Sequence, residues 1–172
     1  MSTTPEALER LIALSEITEV LHRYCRGVDR LDADLLRDCY HSDGTDEHPG
    51  FAGDADRYVA WVFEKVGPWV STHHDISNVM VDIDGDDAWS ECHWTGFYRI
   101  PNGDALVDQV SAGRYLDHFR RRDSRWRIQH RACVTDWSRS GPSTARPAEG
   151  RLAGRRDHDD LLYRLRGISL PA

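Results

Sequence analysis

The sequence predicts an α+β domain: helices first, then a long antiparallel meander whose sheet curves strongly enough to wrap a cone-shaped pocket beneath them. Three observations carry this. Apolar residues recur at three- and four-residue steps from Leu8 to Val28. After Pro68 the recurrence changes to every second residue. The period-two runs are separated by turn sequences, Asp84-Gly85-Asp86 and Asn102-Gly103 among them.

The first helix opens with Thr4 as a capping hydroxyl, Pro5 at the first helical position and Glu6 in the first turn. Leu8, Leu11, Ile12, Ile17, Val20, Leu21, Tyr24, Cys25 and Val28 form one apolar stripe. Gly27, and a second cap at Asp32, suggest that this helix ends or bends between Tyr24 and Asp29. LDADLLRDCYH reads as a shorter second helix. TDEHPGF is turn-rich, with a short strand ending at His48. GDADRYVAWVFEKVG is a third helix capped near Asp54. THHDISNVMVDID and AWSECHWTGFYRI then form a hairpin, and two more long strands follow the turns at Asn102-Gly103 and Asp123-Ser124. Residues 1–137 are expected to form the folded domain and residues 138–172 an extension. Within that extension, Ser138 to Arg156 reads as a loop or linker and RRDHDDLLYRLRG as a short helix.

With 172 residues, 40% hydrophobic and 30% charged, the chain is long enough for one domain with a real core. A net charge of 22 − 29 = −7 disfavours nucleic acid as a partner. No apolar run approaches the ~18–20 residues of a membrane span, and no signal-peptide core begins the chain, so a cytoplasmic location without membrane contact is expected. Cys25, Cys39, Cys92 and Cys133 lie far apart without a C-x-x-C pair and read as reduced core residues.

Side chains on a strand alternate faces, so only one of His73 and His74 can enter a pocket. His74 shares its face with Ile76 and Asn78. An imidazole is a natural general base, and a carboxylate partner both fixes its tautomer and holds the imidazolium. Asp29 is the acid on offer from the helix end, although 9 histidines and 29 acids make accidental pairs easy to draw. On a regular helix Tyr24 and Asp29 are separated by ~500° of rotation, which leaves them ~140° apart, so they share a target only if the helix ends or bends.

Other candidates keep two readings each. Tyr58, Trp61, Phe63, Trp89, Trp94, Phe97 and Tyr98 are core or pocket lining. His130 shares strand parity with Trp126 and Ile128 and is a packed core histidine or a pocket residue. Arg131 falls on the opposite face, so His130 and Arg131 reach one pocket only across a bulge. His48 and Tyr58 would add polar groups at a cavity mouth, with surface and core roles the plainer alternatives. Adjacent strand histidines diverge, and neither an H-E-x-x-H motif nor a Gly-rich phosphate loop occurs, so no metal and no cofactor is expected.

Several short motifs occur in a fixed order: YCRGVD at the end of the first helix, HDISN opening a strand, VMVDIDGDDA, and the closing GRYLDHF and RWRIQHR. In that order, across residues 5 to 137, the chain resembles the SnoaL-like branch of the nuclear transport factor 2-like superfamily. Within that branch it is similar to the cofactor-free dehydratases and dehydrochlorinases. The resemblance implies a cone-shaped α+β barrel around a deep apolar cavity, in a homodimer or higher homo-oligomer. It implies an aspartate-histidine dyad at Asp29 and His74, with Tyr24 as a donor and Arg131, five residues after Trp126, stabilising an anion. Tyr58, Trp61, Asn78, Trp94, Phe97, His130 and His48 would then contact a small apolar polycyclic or aromatic substrate. The expected reaction is proton abstraction next to a carbonyl, as lyase or isomerase. An aldol-type polyketide cyclase and a non-catalytic binding or assembly module of the same fold are the rival readings.

Overall fold

The computed structural model describes residues 4–146, 150 and 152–166. Its elements in order are α1 (Pro5–Arg30), α2 (Ala33–Arg37), β1 (Tyr40–His48), β2 (Phe51–Asp54), α3 (Ala55–Val66), β3 (Ser71–Asp84), β4 (Asp87–Asn102), β5 (Ala105–Arg122), β6 (Arg125–Pro142) and α4 (Leu161–Arg166). The six strands form one sheet in the order β2-β1-β6-β5-β4-β3. β1 runs parallel to β6 and every other pair is antiparallel. The sheet is open, with β2 and β3 at its edges, and α1 and α3 pack on it to give a cone-like α+β fold. The core lies between those helices and the sheet, with Ile17, Leu21, Leu36, Phe119 and Ile128 fully or almost fully enclosed.

Local sequence accounts for the helix boundaries. Thr4, Asp32 and Asp54 each accept a backbone N–H from three residues onward, at 3.3, 3.0 and 2.9 Å. α1 does not break at Gly27, contrary to the expectation above. It continues to Arg30 and stops at Leu31, which takes left-handed dihedrals (φ 53) while the next N–H, of Asp32, bonds back to Gly27 O at 2.9 Å. Gly27 serves packing: a Cβ there would stand 3.0 Å from Leu36 Cβ, so its absence lets α2 cross closely. The second helix is also shorter than expected, because Tyr40 and His41 already belong to β1.

Three bulges decide which strand residues face inward. In β3, Ser77 pairs with His93 but Met80 with Glu91, so Asn78 and Val79 together oppose Cys92. Asn78 sits at φ 52 and is exposed, while Ile76, Val79, Val81 and Ile83 pack on the core. In β6 the extra residue is Gln129, since Ile128 pairs with Phe119 and His130 with His118. Parity reverses there, so Trp126 and Ile128 are inward before the bulge and Arg131 and Cys133 after it. A second reversal at Asp136 brings Thr135 and Ser138 to the same side.

β6 runs through position 137 to Pro142, pairing with β5 as far as Val107. The first five residues expected in a loop are therefore strand. Residues 147–149, 151 and 167–172 of the extension lie outside the described residues. The stretch from Arg156 to Tyr163 folds back on the end of α1. The Arg156 guanidinium donates to the backbone oxygens of Asp29 (3.2 Å), Val66 (2.8 Å) and Trp69 (2.8 Å), and Tyr163 Oη donates to Asp32 Oδ2 (2.7 Å). Among the described residues no helix is long and apolar enough to cross a membrane.

Candidate active site

Helical rotation separates Tyr24 from Asp29, and the strand behind them uses that separation. Asp29 leaves α1 toward β3, where its Oδ1 accepts from His74 Nδ1 at 2.7 Å and its Oδ2 from the His74 backbone N–H at 2.9 Å. β3 is an edge strand, so this N–H has no strand neighbour on that side and is free to anchor the carboxylate. Burial alone would raise the Asp29 carboxyl. The hydrogen bond from the His74 ring, its charge and its backbone N–H outweigh burial and hold the carboxyl below its ordinary range.

With Nδ1 committed to Asp29, His74 presents Nε2 to a cavity of about 440 Å³. Tyr98 Oη lies 3.2 Å from that nitrogen, and burial pushes its hydroxyl well above the ordinary value, so it is a donor. Tyr98 folds back over Gly96, which pairs with His74 across the strands. A Cβ at position 96 would overlap the Tyr98 hydroxyl. Gly96→Ala should therefore displace Tyr98 and destabilise the fold by about 1–3 kcal/mol. In a Tyr98→Ala background the same change should cost less than about 0.5 kcal/mol, a coupling that a double-mutant cycle in denaturant would read directly.

The opposite wall carries a second cluster. On β1, Asp46 and His48 are two residues apart and share a face. The fully buried Asp46 carboxylate accepts from Tyr40 Oη at 2.6 Å and from His48 Nδ1. His48 Nε2 lies 3.2 Å from Tyr24 Oη and 3.4 Å from Tyr58 Oη, and the two hydroxyls bond each other. Burial raises both tyrosines well above their ordinary range. Trp61, Val62, Trp69, Trp94 and Tyr115 supply most of the remaining apolar wall, while Gln109, Ser111, Thr135 and Ser138 line one polar side.

Of the residues singled out from the sequence, Tyr24, His48, Tyr58, Trp61, His74 and Trp94 line the cavity, with Asp29 directly behind His74. Four do not. The β3 bulge turns Asn78 to solvent. Phe97, one residue out of phase with Trp94 and Tyr98, stands 43% exposed on the outer face. The Gln129 bulge turns His130 outward, where its Nδ1 lies 2.8 Å from Thr45 Oγ1. Arg131 points inward but is fully enclosed behind the lining, held by Asp117 at 2.6 and 2.8 Å and sandwiched between the Tyr24 and Tyr115 rings, 3.9 and 4.1 Å from their centroids. Sequence reading named Tyr98 as core or pocket lining without a role beside His74, and it missed Asp46, Tyr115 and the pocket position of Cys133. Strand phase from Trp94 points to Tyr98, and the D-x-H spacing on β1 points to Asp46. Burial pushes the Cys133 thiol up to about 12, which makes it a poor nucleophile.

A family model described as a SnoaL-like domain matches residues 9–132. No curated protein gives a significant match. Solved structures similar to this chain include a hexachlorocyclohexane dehydrochlorinase, LinA type 2, at 15% identity and TM-score 0.72, covering 83% of this chain and 98% of that one. A candidate scytalone dehydratase from Novosphingobium aromaticivorans aligns at 19% identity and TM-score 0.69, covering 83% and 96%. A protein of unknown function with a cystatin-like fold from Nostoc punctiforme aligns at 20% identity and TM-score 0.59, covering 79% and 96%. At these identities the structures establish the shared fold.

Proposed function

The chain belongs to the SnoaL-like domain family, and from that premise we propose that it is a cofactor-independent, dehydratase-like lyase with His74 as its general base. The observation that carries this is the double anchoring of Asp29 to the ring and backbone of His74, which leaves Nε2 aimed into an apolar cavity. Neutral His74 takes a proton from the carbon next to a substrate carbonyl, and Asp29 stabilises the imidazolium. Tyr98 donates to Nε2 and so holds the ring in place, while the Tyr24–Tyr58 pair supports the reading as neutral donors for developing oxygen charge. Isomerisation would share the first step. Arg131 keeps a packing role in this scheme, because the tyrosine rings separate it from the cavity.

Volume and lining support a substrate class. A cavity of about 440 Å³ walled by Trp61, Trp69 and Trp94 suits a small aromatic or fused-ring hydroxy ketone. The β-hydroxy ketone formed from benzaldehyde and acetone is a suitable probe, because loss of water gives a conjugated enone with new ultraviolet absorption. Wild type should form that enone, and Asp29→Asn should lower kcat by about 10²–10⁴ through misdirection of the imidazole. Failure of wild type to dehydrate this ketone and its fused-ring analogues, or full activity in Asp29→Asn, would rule the reading out.

A further inference from the structure

Elimination of water needs a proton delivered to the departing hydroxyl as well as one removed from carbon. We infer that the Asp46–His48 pair is the proton-delivering unit of the cavity, acting through the Tyr24 and Tyr58 hydroxyls. This rests on the reading of His74 as the base. The two histidines line one cavity, from β1 and from β3, and each has its Nδ1 held by a carboxylate. Their Nε2 partners differ. His74 meets a single hydroxyl, whereas His48 meets a bonded pair.

Proton counting in the second cluster separates its two states. When His48 is neutral, with its one ring proton on Asp46, Nε2 must accept from one tyrosine while the other tyrosine bonds the first. No hydroxyl proton is then left for the cavity. When His48 carries both protons, Nε2–H donates to a tyrosine oxygen and one hydroxyl proton is released toward the substrate. The geometry suits the second state: Asp46 accepts at Nδ1 and the two tyrosine oxygens lie at Nε2, so both ring nitrogens face acceptors. Facing His48 from the packed elements are Tyr24 on α1, Tyr58 on α3, Tyr115 on β5 and Arg131 beyond the rings on β6, with Tyr40 behind Asp46. Because burial disfavours a free tyrosinate, a tyrosine that gives up its proton must be refilled in the same step.

The step balances. His74 Nε2 takes the proton next to the carbonyl, and the C–H electron pair becomes the new C=C bond. The C–O bond breaks with its pair on oxygen, Tyr24 or Tyr58 supplies the proton that makes it water, and His48 Nε2–H refills the tyrosine. The products are enone and water, His74 ends protonated and His48 neutral, and solvent exchange restores the starting state. His48 is thus the proton source and Asp46 a positioning residue.

Changing the leaving group separates this role from a structural one. Acetate departs as an anion and needs no proton, so the acetate ester of the benzaldehyde–acetone ketone bypasses the donor. His48→Gln should lose about 10²-fold or more in kcat on the hydroxy ketone, and at least about tenfold less than that on the ester. Equal losses on both substrates, or no loss on the hydroxy ketone, would overturn the assignment. His74→Gln should lose activity on both, and its failure to do so overturns the base instead. A readout without substrate is the His48 tautomer, from long-range nitrogen–proton correlations in full-length protein isotope-labelled at histidine. Protons on both ring nitrogens are expected, with the Nδ1 proton lost from that position in Asp46→Ala. A neutral ring, protonated on either nitrogen, would overturn the chain whatever the turnover shows.

Discussion

His74→Gln should lower dehydration of the β-hydroxy ketone probe by about 10²–10⁴ in kcat while the protein stays folded. Glutamine is chosen because its amide N–H can still donate to Asp29, so the carboxylate is not left bare in a largely buried site. What the variant loses is a nitrogen able to accept a proton. Its KM should change by less than about threefold, since the apolar walls that bind the substrate are untouched. A kcat within about threefold of wild type would remove His74 from the chemistry, however well its geometry suits the part.

Arg131→Met should cost roughly 3–5 kcal/mol of stability, the largest effect expected from a single change outside the acid-base residues. Arg131 and Asp117 are both fully enclosed and joined by two hydrogen bonds. Without the guanidinium, Asp117 retains only a contact of 3.5 Å from Ser90 Oγ, too long to replace an ion pair. The guanidinium also fills the space between Tyr24 and Tyr115, so its loss frees a ring that helps shape the cavity. The double variant Arg131→Met/Asp117→Leu should recover most of the loss, because it removes the unpaired charge together with its partner. Denaturant midpoints of the two variants measure both numbers. A single variant that costs less than about 1 kcal/mol would show that the pair contributes little to folding.

Periodicity made most of this architecture legible. The change from helical to alternating spacing after Pro68 marks the start of the sheet, and its three hairpin turns fall where the sequence places them. One of them, Asp123-Ser124, is built without glycine although both residues take positive φ (51 and 60). Bulges were not legible. A single extra residue at Gln129 exchanges the faces of His130 and Arg131, and the bulge at Asn78 and Val79 removes a polar group that simple alternation assigns to the cavity. Such insertions answer to the curvature of the whole sheet, and no local composition signals them.

The site divides in the same way. Asp29 and His74 are paired through the family resemblance, since residue types alone leave them one pair among many, and the helix end does meet the edge strand there. Phe97 and Trp94 cannot both face inward on one regular strand, and that phase argument selects Tyr98 over Phe97. Asp46 was passed over although a short strand ending at His48 was expected, because that strand in fact begins at Tyr40 and its inward face was not traced. Spacing alone would not have sufficed: His73 and Asp75 have the same two-residue separation and also bond each other, at 2.9 Å, yet both side chains are about two-thirds exposed. Burial, rather than pairing, distinguishes the Asp46–His48 cluster.

Hydrogen exchange into a substrate analogue tests the base most directly, because it requires proton abstraction and nothing afterwards. The saturated ketone that lacks the β-hydroxyl, benzylacetone, can lose a proton next to its carbonyl but cannot eliminate water. Incubated in heavy water with wild type, it should take up deuterium beside the carbonyl faster than in buffer, and His74→Gln should reduce that uptake to the buffer rate. Deuterium uptake that is equally fast with His74→Gln, or that never exceeds buffer with wild type, would contradict His74 as the base.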